Sequence, residues 1–287
     1  MIAEILAKFD GAFAENTIRA YRSDFIQYEQ WCLAHKIKPI PASADHLASY
    51  IDHLSTYAKS ATIRRRMNSL GTILKLSNNY DPTKEPEVIL ALKRMHRKIG
   101  RAQKQAAPLT KKLLDQLISS CNNSTIGIRN KVLLQLGYET MRRRSEICAF
   151  RFQDVTLSSN GNPAIKLTFS KTDQYGEGKL IPISKKLMKL IKRWEEIVGC
   201  GGYILRAVNR HGHISDSLNP SSVSTILKNL QINMGDRVNE EALSGHSFRV
   251  GAALDLLEAG EGLEKIMLKG DWKIDSTAIK YLRNWQQ

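Results

Sequence analysis

TMRRRSEICAFRFQDV, residues 140–155, changes its repeat in the middle. In the first half Arg143 and Glu146 stand three apart, with Ile147 and Phe150 following. This is the spacing of a helix that puts Arg143 and Glu146 on one face and ties Ile147 and Phe150 to a core. In the second half Phe150, Phe152 and Asp154 alternate, as a strand does. Downstream, Ile165, Leu167 and Phe169 alternate again, with Asn160-Gly161 as the turn between the two strands. A third strand, LIPI (180–183), follows a loop that holds Gly176 and Gly178. From Lys185 to the end the patterns are helical, as they are near 110–120 and through Lys131–Tyr138. This part of the chain therefore reads as mainly α with one small antiparallel sheet.

Toward the N-terminus, RAQKQAAP (101–108) is basic, lacks periodicity and closes on a proline. It marks a boundary that separates residues 1–104 from 105–287. The first hundred residues read as short helices. Asn16 can cap one running through Ile18, Tyr21, Phe25, Tyr28 and Trp31. Pro39 and Pro41 break the pattern, and Asp45 can start a second. Ser60 can cap a third whose Ile63, Met67, Leu70, Ile73 and Leu74 face inward. Arg64, Arg65 and Arg66 stand near its start and oppose the helix dipole, so an outside anion is the expected compensator. A fourth, EPEVILALKRMHRKIG, carries Glu85 and Glu87 first and Lys93, Arg94, Arg97 and Lys98 last, the order the dipole favours.

The 287 residues suffice for one large domain or two modest ones. Apolar residues make up 42% and charged residues 25%, a globular composition. With Gly at 18 and Pro at 8, collagenous and low-complexity classes are excluded. No apolar run is long enough to span a membrane, and charge appears too early in MIAEILAKFDGAF for a signal peptide. Cys32, Cys121, Cys148 and Cys200 are widely spaced and suit reduced thiols of a cytoplasmic protein. Lys and Arg number 43 against 28 Asp and Glu, a net charge of +15. Residues 1–107 carry +7 of it and the remainder +8, so the excess is no detachable tail. A polyanion, nucleic acid above all, is the implied partner.

Three further segments carry candidate chemistry. In SGHSFRVGAALDLLEAG (244–260), His246 and Arg249 share one face of a first helical turn, where backbone N–H groups attract anions. FSKTDQYGEG (169–178) puts Lys171 where a strand enters a hairpin loop. GDWKIDSTAIKYLRNW (270–285) holds Trp272 and Tyr281, nine residues apart. One straight helix would set those two on opposite faces. A new helix capped by Asp275 or Ser276 would bend them together. Singly, each segment also fits an ordinary role: a surface ion pair, a capped helix, a solvated turn, a packed aromatic pair. His211-Gly-His213 suggests zinc only weakly, because no further ligand stands nearby.

In order, Arg143, Glu146, Lys171, His246, Arg249, Trp272 and Tyr281 resemble the tyrosine recombinases of the phage integrase family, most closely its Cre branch. YETMRRRSEI, SKT, SGHSFRVGAA, GDW and YLRN carry the likeness. Arg-x-x-Glu selects Arg143 from three neighbouring arginines and leaves Arg142 at a position that is usually apolar. Trp272 stands where many integrases have a second histidine. The resemblance implies a two-domain DNA clamp, with a helical, SAM-like core-binding domain at 1–104 and a catalytic domain at 105–287.

It further implies that Tyr281 attacks a DNA phosphodiester to give a 3′-phosphotyrosine. Arg143, Arg249 and Trp272 would serve the phosphate, His246 and less directly Lys171 would assist loss of the Tyr281 proton, Lys171 would protonate the leaving 5′-oxygen, and Glu146 would orient Arg143 or a neighbour. Arg64, Arg65, Lys93, Arg94, Arg97 and Lys98 would touch DNA. No metal and no cofactor are expected. Partners would be double-stranded DNA with an inverted-repeat site and three further copies in a tetramer on two sites, without a membrane. The protein would be cytoplasmic, and associated with the nucleoid when bound. Relatives continue past the tyrosine into a helix that docks on a neighbouring subunit, whereas six residues follow Tyr281, so the free protein is expected to be a monomer. Relaxation of the type IB topoisomerase kind, or a silent DNA-binding regulator, are the alternatives.

Overall fold

The structure, a computed structural model, describes residues 2–102, 104–168, 178–235 and 241–282. It divides into two compact units, 1–104 and 105–287.

The first unit is helical: α1 (Ile2–Ala7), α2 (Glu15–Ala34), α3 (Ala44–Leu54), α4 (Ser60–Leu76) and α5 (Pro86–Ile99). Phe25, Tyr28, Leu47, Ile51, Ile63, Leu70, Ile73 and Val88 are buried in its core. The inward stripe expected on α4 is the one buried. Its caps differ from expectation. α2 begins after Ala14 with no side-chain cap, and Asn16 lies inside it. Ser43, not Asp45, caps α3, its hydroxyl accepting the His46 N–H at 3.2 Å. Lys59 precedes α4, and the Ser60 hydroxyl is engaged with His96 Nδ1 of α5 at 2.9 Å. The expected outside anion beside Arg65 and Arg66 is replaced by an internal one. Asp24, 1% exposed, pairs with Arg65, lies 3.9 Å from Arg66, and accepts the Ser69 hydroxyl at 2.7 Å.

The second unit continues with α6 (Lys111–Ser120), α7 (Thr125–Thr140), α8 (Arg144–Ala149), β1 (Val155–Leu157), β2 (Pro163–Leu167) and β3 (Lys179–Pro182). Then come α9 (Lys185–Val198), α10 (Ser222–Asn233), α11 (Ser247–Glu258), α12 (Leu263–Gly270) and α13 (Asp275–Tyr281). The strands pair antiparallel in the order β1-β2-β3, with Ile165 opposite both Val155 and Ile181. The chain is thus mainly helical with one small antiparallel sheet. The strand expected at Phe150–Asp154 starts later, at Val155. The Asp154 carboxylate accepts the Arg151 N–H at 2.7 Å, which curls Phe152–Asp154 into a 3₁₀ turn. Phe169 lies outside the described residues. α7 is longer than Lys131–Tyr138 because it is buried on nearly every side, which erases the amphipathic period at its ends.

α11 crosses the start of this unit closely. A Cβ on Gly251 would sit 1.9 Å from the Leu109 carbonyl oxygen, so only glycine fits. Among the described residues no helix is long and apolar enough to cross a membrane.

Candidate active site

Two left-handed residues shape the site. α7 ends at Met141 (φ 51°, ψ 30°), and α12 ends at Asp271 (φ 57°, ψ 46°). Each reverses the chain just before a candidate group.

After Met141 the chain runs extended through Arg143, which precedes α8 instead of lying within it. The expected contact with Glu146 forms in that geometry. Glu146, 5% exposed, accepts the Arg143 backbone N–H at 3.1 Å and Nη1 at 2.8 Å. The carboxylate therefore fixes both the backbone and the guanidinium fork of Arg143, whose side chain stays 23% exposed.

Arg249, in the first turn of α11, is 1% exposed. It donates from Nη1 to the Met141 carbonyl at 2.9 Å and from Nη2 to the Gly270 carbonyl at 2.8 Å. Its Nε is buried with no hydrogen-bond partner among the described residues. Burial, with the nearby Arg143 and Arg142 charges, lowers its pKa to about 10, partly countered by Tyr281 and Glu146. It remains protonated at neutral pH.

His246 precedes α11 and is exposed. Its loop is held by the Ser224 hydroxyl, which accepts the Gly245 N–H at 3.2 Å. Desolvation, followed by the Arg249, Arg144 and Arg143 charges, pushes its pKa below the ordinary 6.5. The imidazole is consequently neutral at pH 7 and able to accept a proton.

Trp272 follows the α12 terminus, and Tyr281 ends α13. The bend between the helices brings their rings to 4.8 Å, tilted by 36°. The cap expected at Asp275 or Ser276 is absent: Ile274 precedes the helix, and both residues lie within its first turn. The bend itself comes from Asp271 and from Gly270, where a Cβ would sit 2.2 Å from the Trp272 ring. The Arg249 guanidinium lies 4.8 Å from the Trp272 ring centre and 5.8 Å from that of Tyr281. Gln105 adds a bond from Nε2 to the Tyr281 carbonyl at 2.9 Å. No motif pointed to it.

Lys171 lies outside the described residues. In the first unit Arg64, Lys93, Arg97 and Lys98 are exposed. Arg65 and Arg94 are partly engaged, with Asp24 and, at 3.8 Å, with Asp52. The Ser60–His96 bond sets the start of α4 beside the end of α5, which gathers these cations. His96 senses them: after desolvation, Arg101 and Arg64 are what lower its pKa. His211 and His213 belong to a loop whose two backbone N–H groups are accepted by Asn209 Oδ1, at 2.9 and 3.0 Å. Among the described residues no group of His, Cys, Asp and Glu is placed to hold a metal.

Arg142 is the residue that sequence reasoning passed over. It is fully buried, donating from Nε to the Thr140 carbonyl at 2.8 Å and from Nη2 to that of Lys269. A charge at an otherwise apolar position was the only signal for it.

Residues 108–287 match the Phage integrase family. The chain is 27% identical over 281 residues to an integrase/recombinase XerD homolog of Selenomonas ruminantium, covering 94% of this chain and 82% of that protein. It is also 27% identical to recombinase Cre of Escherichia phage P1, covering 95% and 85%. Among solved structures, a lambda integrase fragment, a dimer bound to a COC′ core site, superposes with a TM-score of 0.68 at 15% identity over 99% of this chain and 94% of that one. The Tn1549 transposon integrase with transposon right end DNA gives 0.71 at 14% identity, over 98% and 94%. At these identities the likeness is one of fold.

Proposed function

The chain belongs to the phage integrase family, and on that premise we propose that it is a site-specific DNA recombinase whose nucleophile is Tyr281. The observation that carries this reading is the buried Arg249 guanidinium set against the Trp272 and Tyr281 rings. Residues 105–287 would supply the chemistry and residues 1–104 a second grip on the duplex.

The phenol oxygen of Tyr281 attacks the phosphorus, its proton passing to neutral His246. The bond to the 5′-oxygen breaks, and Lys171 protonates that oxygen. A 3′-phosphotyrosine and a free 5′-hydroxyl result. During attack negative charge grows on the two non-bridging oxygens. Arg143, oriented by Glu146, and Arg249, through an Nε that no described residue engages, are positively charged donors for them. Trp272 adds a neutral donor. The phosphotyrosine keeps the energy of the broken bond, so a 5′-hydroxyl from a second duplex can reverse the step without ATP. Strand exchange would take place in a tetramer holding two inverted-repeat sites. A plasmid carrying two target sites tests the reading: recombinant products support it, while relaxation alone would indicate a topoisomerase.

Arg143→Ala and Arg249→Ala are each expected to slow single-turnover cleavage by at least ~100-fold, the usual effect of losing one donor to developing charge. Arg144→Ala is expected to be far milder. Arg142→Ala is expected to be damaging as well, because that side chain is buried and hydrogen-bonded.

The depressed His246 pKa sets the acid limb of the pH profile. Protonation removes the proton acceptor, so kcat/KM for a half-site should fall as pH drops, with a midpoint below 6.5. His246→Gln should flatten that limb; an unchanged limb would assign it to another group.

A further inference from the structure

Arg142 and Arg249 form two parallel cross-links between the same two chain reversals. Arg249 joins the Met141 carbonyl to that of Gly270. Arg142 joins the Thr140 carbonyl to that of Lys269, one residue earlier on each side. Its Nη1 also lies 3.6 Å from the Asp271 carboxylate, at the left-handed residue next to Trp272. Lys179 of β3 reaches the same carboxylate at 3.8 Å and donates to the Leu268 carbonyl at 2.7 Å. A fully buried guanidinium is tolerated only when its charge is met, and removing one partner of such a pair exposes the loss.

We propose that Arg142 and Asp271 form a positioning brace that sets Trp272 and Tyr281 against Arg249, and so governs the cleavage step without touching DNA. The brace rests on Tyr281 being the nucleophile. Its carboxylate lies one residue from Trp272, whose ring contacts both Arg249 and Tyr281. Without the carboxylate the α12–α13 bend loses its charged tie to the turn before Arg143. The phenol and the anion-holding guanidinium then lose their fixed separation.

Asp271→Asn tests this with little disturbance, because asparagine accepts the left-handed backbone and keeps the size of the side chain. On a suicide half-site the cleavage rate constant should fall about 10- to 100-fold, the range expected when a reacting group is misplaced by a fraction of an ångström to an ångström. Burst amplitude and DNA affinity should stay at wild-type levels. A purely structural role would reverse that pattern, lowering the amplitude of active protein and leaving the rate constant alone. Arg142→Met should slow the same step, and the double variant should be no slower than the slower single one.

The brace is overturned if Asp271→Asn cleaves at the wild-type rate constant, if its loss lies in amplitude or affinity, or if the single effects multiply in the double variant. Should Arg142→Met fail to fold, Asp271→Asn decides alone. Tyr281→Phe, run in parallel, separates the two readings. An adduct formed without that hydroxyl removes the nucleophile assignment; an inert Tyr281→Phe beside a fully active Asp271→Asn removes the brace only.

Discussion

Tyr281→Phe is expected to abolish covalent attachment to DNA while leaving affinity nearly unchanged. The substitution removes one oxygen, the atom that would bond to phosphorus, and keeps the ring that packs 4.8 Å from Trp272. Arg249 donates to the Met141 and Gly270 carbonyls and Arg143 to Glu146, so neither guanidinium is held in place by the hydroxyl. The anion-holding set should therefore survive intact. Binding rests on a molecule of net charge +15, in which one phenol is a minor contributor. The measurement is denaturing electrophoresis of protein mixed with a labelled half-site. An adduct that persists in the Phe variant would move the nucleophile elsewhere.

DNA binding should fall by about 10³- to 10⁵-fold between 50 and 200 mM salt, as for a protein that neutralises roughly 6–10 phosphates. Each unit would contribute. Residues 1–107 carry +7 and the rest +8, and the first unit displays Arg64, Lys93, Arg97 and Lys98 on its exposed surface. The isolated fragment 1–107 should consequently show only part of the slope in a plot of log affinity against log salt. A full slope from that fragment alone would mean that the second unit does not hold the backbone. Arg65 and Arg94 should add less than their neighbours, because Asp24 and Asp52 already offset part of their charge.

Local physics made much of this chain legible. Steps of three and four placed α2 and α4, since each buries one stripe and leaves the rest in water, while α1 went unread. Alternation placed β2 for the same reason. The family was legible too, because the motifs around Arg143, Lys171, His246, Arg249, Trp272 and Tyr281 stand in the order of one family. Where several local solutions compete, the sequence was silent. Ser43 rather than Asp45 caps α3, and Asp154 curls the residues before β1 into a turn, by contacts that differ little in energy from the alternatives.

Tertiary structure alone decided the rest. Whether Trp272 and Tyr281 meet depended on the left-handed residue at Asp271 and on a glycine that clears the indole. Arg142 was one of three neighbouring arginines, at a position that is usually apolar, and carbonyls 2 residues before it and 127 after it give its charge a buried home. Helical periodicity fixes which residues share a face. It cannot say which distant carbonyl or carboxylate will meet a buried charge, because that partner is supplied by another turn of the fold.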